Sequence, residues 1–232
     1  MRRLIVEPPL PCEEASAWAA PEELATAAGF APARAREYLA WRAIVRREVG
    51  RDARIAYDAV GAPVLENYPY RLAVSHCQGR VAVGISDRPC AVDIERLDRN
   101  FGRILSRYLT PDEQRLSTHP HFPAVAWCAK EALYKYAGRR ELDLLRDLRI
   151  ERIFFPPEDG AHAAPGGTRE DDGHSAIESP SESGCGRLFA RYTDAAGREQ
   201  SLGLRFGQEP PYVLVFRFDG KPADESCGVL PE

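Results

Sequence analysis

Three carboxylates and two lysines lie in two short segments of the chain: Asp93 and Glu95 in one, and Lys130, Glu131 and Lys135 in the other. Carboxylates that are brought close together repel one another unless a cation lies among them. Hard oxygen ligands suit Mg²⁺, which binds a few carboxylates together with waters and substrate phosphates. No cluster of His and Cys residues favours zinc instead. These residue types therefore predict a magnesium site for chemistry on a phosphate group.

The segment with Asp93 and Glu95 is predicted to be a β-strand. The two acids alternate with the apolar Val92 and Ile94. Because successive side chains of a strand point to opposite faces, both apolar residues are expected in the core and both acids on the other face.

The segment with the two lysines is predicted to be a helix, in which successive residues are about 100° apart. An apolar stripe then contains Phe122, Val125, Ala129, Ala132, Leu133 and Tyr136, and a second stripe contains Trp127, Lys130, Glu131, Tyr134 and Lys135. Aromatic and charged residues share the second stripe, so we expect it to pack against a surface that is partly apolar and partly charged. Taken alone, Glu131 and Lys135 could equally form a surface ion pair of little energetic value.

The combination of these two segments, in this order and spacing, resembles the 4'-phosphopantetheinyl transferase superfamily. The similarity begins at residues 70–77, which include Ser75 and His76, and continues through 81–86, 91–95 and 107–113 to the motif W-x-x-K-E-A-x-x-K at 127–135. It covers about a third of the chain. It implies an α+β fold of two similar halves related by a pseudo-twofold axis, with the active site in the cleft between them.

The resemblance also implies a reaction. Coenzyme A, the co-substrate, would bind with Mg²⁺ on its pyrophosphate, and a serine of an acyl or peptidyl carrier protein would attack the β-phosphate and release 3',5'-ADP. Asp93, Glu95 and Glu131 are expected to bind Mg²⁺. Glu131, directly or through water, would also help to deprotonate the serine, and Lys135 would stabilise the transferring phosphate.

Four further residues are expected from the resemblance to bind coenzyme A. His76 and Arg42 would hold its 3'-phosphate, where an arginine offers paired contacts to phosphate oxygens. Lys130 would lie near the site. Ser75 is expected either to contact adenosine or to cap its loop. Without the resemblance, one histidine at a strand end would suggest a local hydrogen bond, and one arginine on a basic helix would suggest solvent exposure.

Three positions depart from the pattern of the superfamily. Ala62 stands where many members have a phosphate-binding lysine, Cys77 follows His76 in place of a serine, and Ala91 replaces a glycine before the acidic strand. None of them removes an expected metal ligand. They bear on the affinity for coenzyme A rather than on the chemistry.

Two other functions are compatible with the residues. A metal-dependent phosphodiesterase or nuclease could use a similar set of acids and a lysine, but the net charge of −4 argues against a nucleic-acid partner. A catalytically weak relative could hold coenzyme A or a carrier protein without transferring the group. The two functions predict different results in nuclease and turnover assays.

Composition sets further expectations for the 232 residues. The apolar run at the amino terminus is too short for a signal peptide, and no segment is long and apolar enough to span a bilayer. The six cysteines show no C-x-x-C pair, which predicts reduced thiols in a cytoplasmic protein. By analogy with the larger members of the superfamily, whose two halves build one cleft, we expect a monomer.

Three regions are predicted from these elements. Residues 1–118 would form an N-terminal half with a basic helix and three strands that end in the acidic strand, residues 119–220 a C-terminal half with the motif helix and further strands, and residues 221–232 a polar tail. Residues 156–186 are rich in Gly, Ser, Pro, Glu and Asp, and we expect a mobile insertion there, whose replacement by a short linker would leave stability unchanged.

Overall fold

The computed structural model describes residues 1–156 and 185–220. The predicted insertion at 156–186 therefore lies almost entirely outside the described residues, and the predicted tail at 221–232 lies wholly outside them. Within the described ranges, no helix is long and apolar enough to cross a membrane.

Ten strands and five α-helices make up the described chain. The elements before residue 88 are β1 (Arg2–Glu7), α1 (Cys12–Ser16), α2 (Pro21–Ala27), α3 (Pro32–Val49), β2 (Ile55–Tyr57), β3 (Pro63–Leu65), β4 (Arg71–Cys77) and β5 (Arg80–Ser86). The later elements are β6 (Cys90–Arg96), a 3-10 helix (Phe101–Arg107), α4 (Pro111–Gln114), α5 (Phe122–Ala137), β7 (Leu148–Phe154), β8 (Gly186–Thr193), β9 (Glu199–Glu209) and β10 (Tyr212–Phe218).

The strands form two antiparallel five-stranded sheets with the same connectivity. Their orders are β1-β5-β4-β3-β2 and β6-β10-β9-β8-β7, so in each sheet the first strand pairs with the last and the others follow as a meander. Each sheet packs against one long helix, α3 on the first and α5 on the second. This repeat confirms the predicted α+β fold with two similar halves, although no repeat is visible in the sequence.

The hydrogen bonding divides the chain at a different place from residue 118. We expected the acidic strand in the N-terminal half, but β6 pairs with β10 at all seven of its positions, from Cys90↔Phe218 to Arg96↔Tyr212. The division of the sheets therefore lies between β5 and β6. The reason is that β6 is the first strand of the second repeat, as β1 is of the first.

Two apolar layers lie within the halves, and a third lies between them. One lies between α3 and the first sheet, and one between α5 and the second sheet. The third joins the sheets and contains Leu4, Val6, Ala73, Ala82, Val92, Ile94 and Leu214. Because Val92 and Ile94 face this third layer, the side chains of Asp93 and Glu95 on the other face of β6 point toward α5.

The two long helices begin and end at residues whose types favour helix termini. Both have a proline in their first turn, where the missing N–H costs no hydrogen bond. Gly138 ends α5 in the left-handed conformation, at φ 58°, which glycine adopts without a steric penalty. Thr110 and Glu113 form a capping box at the start of α4, which extends for only four residues.

Candidate active site

The two acids of β6 face the motif helix as the alternation predicts. Asp93 is 5% exposed and Glu95 is half-buried, whereas Val92 and Ile94 are buried in the layer between the sheets. On α5, Trp127, Glu131 and Lys135 are spaced by four residues and therefore share a face that turns toward β6.

Asp93 and Lys135 join the two elements directly. Lys135 Nζ lies 2.7 Å from Asp93 Oδ1, and it also donates to the carbonyl of Val92 at 3.2 Å. The Lys135 side chain is 33% exposed, so its amino group also reaches solvent. The other oxygen, Asp93 Oδ2, is buried and has no hydrogen-bond partner among the described residues.

Glu95 receives two contacts. The indole Nε1 of Trp127 donates to Glu95 Oε1 at 3.1 Å, and the guanidinium of Arg99 forms an ion pair with the same oxygen. Trp127 is held in place by Phe101 and Tyr108, whose ring centroids lie 6.0 and 5.2 Å from its own. The indole donor of Trp127 thus fixes one oxygen of Glu95.

Glu131 is the third carboxylate and differs from the other two. It has neither a hydrogen bond nor an ion pair within the described part of the chain. Burial raises its pKa, and the negative charge of Asp93 raises it further, while Lys135 opposes the shift. A carboxylate with a raised pKa and no internal partner is suited to accept a proton or a ligand.

The fit of these residues to a divalent cation is mixed. No group of three or more His, Cys, Asp or Glu residues in 1–156 and 185–220 is already arranged to hold a metal ion. Lys135 and Arg99 instead supply the positive charge beside Asp93 and Glu95. The donor set nevertheless fits Mg²⁺, because it consists of hard oxygens and includes the unpartnered buried oxygen of Asp93. The thiol of Cys128, whose pKa is raised by burial and by Asp93, stays protonated beside this carboxylate.

Comparison with known proteins gives a family match for this segment. Residues 89–183, which contain the acidic strand and the motif helix, match the model of the 4'-phosphopantetheinyl transferase superfamily. The match confirms, for these residues, the resemblance seen in the sequence. No curated protein gave a match to the chain.

His76 of β4 lies beside this site, at the junction with α3. Its Nδ1 lies 3.2 Å from Glu37 Oε2 on α3. Burial lowers the pKa of His76; Glu37 opposes the shift, while Arg34 and Lys135 reinforce it. The imidazole is therefore within electrostatic reach of both α3 and α5, at the junction of the two halves.

Ser75 lies on the opposite face of β4 from His76. Its hydroxyl donates to Asp93 Oδ1 at 2.7 Å and accepts from the backbone N–H of Ile94 at 3.3 Å. Both contacts are to the acidic strand. The structure thus brings Ser75, Asp93, Glu95, Glu131 and Lys135 together, with His76 beside them.

Lys130 is not brought to the carboxylates, which corrects the expectation from its position on the helix. It is fully buried on the flank of α5 that faces β7. Its Nζ lies 2.6 Å from Glu113 Oε1 and 2.8 Å from the carbonyl oxygen of Leu144, and it also donates to the carbonyl of Leu148. With its donors used in this way, Lys130 is an anchor in the core of the second half.

Arg42 is likewise turned away from the site. It is 2% exposed, and its Nε lies 3.2 Å from Glu23 Oε1 on α2. Its other nitrogens donate to the carbonyl of Tyr38 and to the hydroxyl of Tyr57. A contact with the 3'-phosphate would require the guanidinium to leave these partners, and the structure does not bring Arg42 and His76 together.

A cavity of about 360 Å³ opens beside the acidic strand. It is lined by His76, Cys77, Gln78, Glu95, Arg96, Asp98 and Arg99. A larger cavity of about 450 Å³ lies around Arg42 and Arg46, away from the carboxylates. The smaller cavity combines a histidine, two arginines and one of the acids, so it is the better candidate for a phosphate-bearing substrate.

Sequence reasoning missed Arg34, Glu37 and Arg99. Arg99 contacts Glu95, and Glu37 contacts His76. Arg99 follows Glu95 by four residues, but the intervening chain leaves the strand and turns, so a strand pattern does not indicate that the two meet. Arg34 and Glu37 lie one turn apart on α3, the helix that the sequence already marks as basic.

Proposed function

We infer that the protein transfers the 4'-phosphopantetheine group of coenzyme A to a serine of an acyl or peptidyl carrier protein in a Mg²⁺-dependent reaction that releases 3',5'-ADP. One observation carries this inference. Within a segment that matches the superfamily, Lys135 and Trp127 of one helix reach Asp93 and Glu95 of one strand at 2.7 and 3.1 Å. The motif residues thus meet in space as phosphoryl transfer requires.

Asp93, Glu95 and Glu131 would hold Mg²⁺, which when bound neutralises charge on the pyrophosphate of coenzyme A. The serine oxygen of the carrier protein forms a bond to the β-phosphorus as the bond to the leaving 3',5'-ADP breaks. Glu131, directly or through water, takes the proton of the serine, since it is the carboxylate without an internal partner. Lys135 is partly exposed and would turn its amino group toward the transferring phosphate.

We place the nucleotide end of coenzyme A at the cavity beside His76. Arg96 and Arg99 line this cavity, and Arg34 lies close enough to His76 to lower its pKa. A phosphate there would gain contacts from groups that are at least partly exposed. This proposal replaces Arg42 and Lys130 with Arg34 and Arg99, because the former two are buried in ion pairs. That the enzyme acts as a monomer in the cytoplasm remains part of the proposal.

The test is a transfer assay with coenzyme A, Mg²⁺ and a panel of purified apo-carrier proteins, followed by mass spectrometry of each carrier. We expect at least one carrier to gain the mass of one phosphopantetheine, with 3',5'-ADP formed in equal amount. The matched control is Asp93→Asn, which keeps the size of the side chain but removes its charge. Binding of coenzyme A without transfer to any carrier would instead identify a binding relative, and cleavage of nucleic acid with Mg²⁺ alone would identify a phosphodiesterase.

A further inference from the structure

The hydroxyl of Ser75 connects the two halves of the molecule at the acidic strand. The residue is 7% exposed, and its Oγ lies 2.7 Å from Asp93 Oδ1 and 3.3 Å from the backbone nitrogen of Ile94. β4 and β6 belong to different sheets, and no strand pairing joins them. Ser75 therefore supplies, from its side chain, a hydrogen bond that the edge strand β6 would otherwise lack on this side.

The hydrogen-bonding capacity of Ser75 is largely used by these two contacts. A serine hydroxyl has one donor and two acceptor lone pairs. The donor is directed at Asp93, and one lone pair is occupied by the N–H of Ile94. No donor is left for a phosphate of coenzyme A, because phosphate oxygens only accept hydrogen bonds at neutral pH.

Asp93 has two partners of different character. Lys135 and Ser75 both contact Oδ1, at 2.7 Å each. The lysine is partly exposed at the end of a flexible side chain, and it is the group that would move toward a phosphate. The serine is buried on a strand, so it remains with Asp93 whether or not Lys135 moves. Ser75 is thus the permanent partner that sets the orientation of the carboxylate.

We propose that Ser75 is a positioning residue, whose hydroxyl holds the carboxylate of Asp93 for a divalent cation, and that it does not contact coenzyme A. The inference rests on the proposed function for the reaction that it serves. Its direct consequence, the affinity of the protein for a metal ion, is measured without any turnover.

Three substitutions and one control separate this role from a contact with coenzyme A. Ser75→Ala removes the hydroxyl, Ser75→Thr keeps it, and Ser75→Cys replaces it with a thiol, a much weaker donor. Ser86→Ala is the matched control, because Ser86 is also a buried strand serine of the first sheet, and its hydroxyl accepts from the N–H of Arg88 rather than contacting Asp93. For each protein, Mn²⁺ binding is measured by electron paramagnetic resonance and Mg²⁺ binding by calorimetry. The concentrations of Mg²⁺ and of coenzyme A that give half-maximal turnover are then measured in transfer assays.

Loss of an outer partner of a metal-ligating residue commonly lowers metal affinity roughly 10- to 100-fold. We expect Ser75→Ala to show a loss of that size in metal binding, a matching rise in the Mg²⁺ needed for half-maximal turnover, and an unchanged KM for coenzyme A. Ser75→Thr should restore metal affinity, and Ser86→Ala should leave it unchanged. If Ser75→Ala fails to fold, Ser75→Cys is expected to show an intermediate loss.

Three results would overturn the proposal. The first is unchanged metal affinity with a raised KM for coenzyme A in Ser75→Ala, which would make the serine a substrate contact. The second is an equal loss of metal affinity in Ser86→Ala, which would indicate a general effect on the sheet. The third is a wild-type protein that binds neither Mn²⁺ nor Mg²⁺. A wild-type protein that binds metal but modifies no carrier would refute the proposed function while leaving the test of Ser75 intact.

Discussion

Replacing Lys130 with methionine removes a buried cation from the motif helix while nearly preserving its volume. Lys130 is fully buried, and Glu113, its partner at 2.6 Å, is almost fully buried. The amino group also donates to the carbonyl oxygens of Leu144 and Leu148 in the segment that leads into β7. Since methionine fills a similar space, the main effect should come from lost polar contacts rather than from a cavity.

The expected loss of stability follows from the partners left behind. Removing one member of a buried ion pair costs about 3–5 kcal/mol, because the other charge stays buried and uncompensated. Glu113 keeps hydrogen bonds from the N–H groups of Thr110 and Ile150, so we expect the lower end of that range. In a chain of this length each kcal/mol lowers Tm by roughly 2–4 °C, which predicts a fall in Tm of roughly 6–12 °C.

The assay combines thermal unfolding with kinetics at a temperature where the variant is folded. We expect Lys130→Met to have a lower Tm but a KM for coenzyme A close to that of the wild type. Adding Glu113→Gln removes the stranded charge, so the double variant should be more stable than the sum of the two single losses predicts. Lys135→Met is the control on the same helix, and because Lys135 is partly exposed, it should lose turnover with a much smaller change in Tm.

An unchanged Tm for Lys130→Met together with a raised KM for coenzyme A would refute this reasoning. It would mean that Lys130 leaves Glu113 and reaches the substrate, as the superfamily resemblance first suggested.

Three further substitutions test other contacts. Glu131→Gln should lower turnover by roughly 10²–10⁴-fold, the usual contribution of a general base, as measured in stopped-time transfer assays. Its Tm, measured by calorimetry, should change little because Glu131 has no internal partner to lose. Arg99→Ala should increase the affinity for Mn²⁺ in a titration of the protein alone, because Arg99 competes with the metal ion for Glu95. The control is Arg103→Ala, which removes an exposed arginine of the following 3-10 helix and should leave that affinity unchanged. Burial acts to raise the pKa of Glu23, but Arg46, the N–H of Ala20 and Arg42 together hold this pKa below the usual 4.5. The ion pair of Glu23 therefore stabilises the fold above about pH 4.5, and this stabilisation is lost as the pH falls through the lowered pKa of the folded state. The difference in Tm between wild type and Glu23→Gln should accordingly shrink on acidification below that pH, and a difference that grows would contradict the ion pair.

The local patterns of the chain were sufficient to predict β6 and α5. Alternation of Val92 and Ile94 with the two acids sets the faces of the strand. A proline at the start of the helix and a glycine after its end set the bounds of α5. The partner of β6 could not be predicted in the same way. β10 lies more than a hundred residues further along the chain, and nothing in either strand's pattern specifies the other.

Arg42 and Lys130, the two expected ligands that the structure does not bring to the site, have their positions for a common physical reason. Each was expected from the resemblance, and a motif on one helix does not say which neighbouring element lies on its flank. Glu23 comes from α2 and Glu113 from α4, and these acids turn a basic residue into part of a buried ion pair. An acid at the third position of a short helix gives a weak signal of such a pair, and each of these two acids accepts the N–H of its N-cap residue there.

The site lies at the junction of the two sheets, where the pairing of their strands ends. β3 pairs with β4 only at Val64↔Arg71, so the rest of β4 has an edge free of ladder hydrogen bonds, and β6 is the edge strand of its own sheet. Where these two edges meet, backbone polar groups must be satisfied by side chains, as Ser75 does for Ile94. At the same junction Glu37 of α3 contacts His76 of β4, and Lys135 of α5 contacts Asp93 of β6. A continuous ladder from β4 to β6 would close this gap, so the site depends on the two sheets remaining separate.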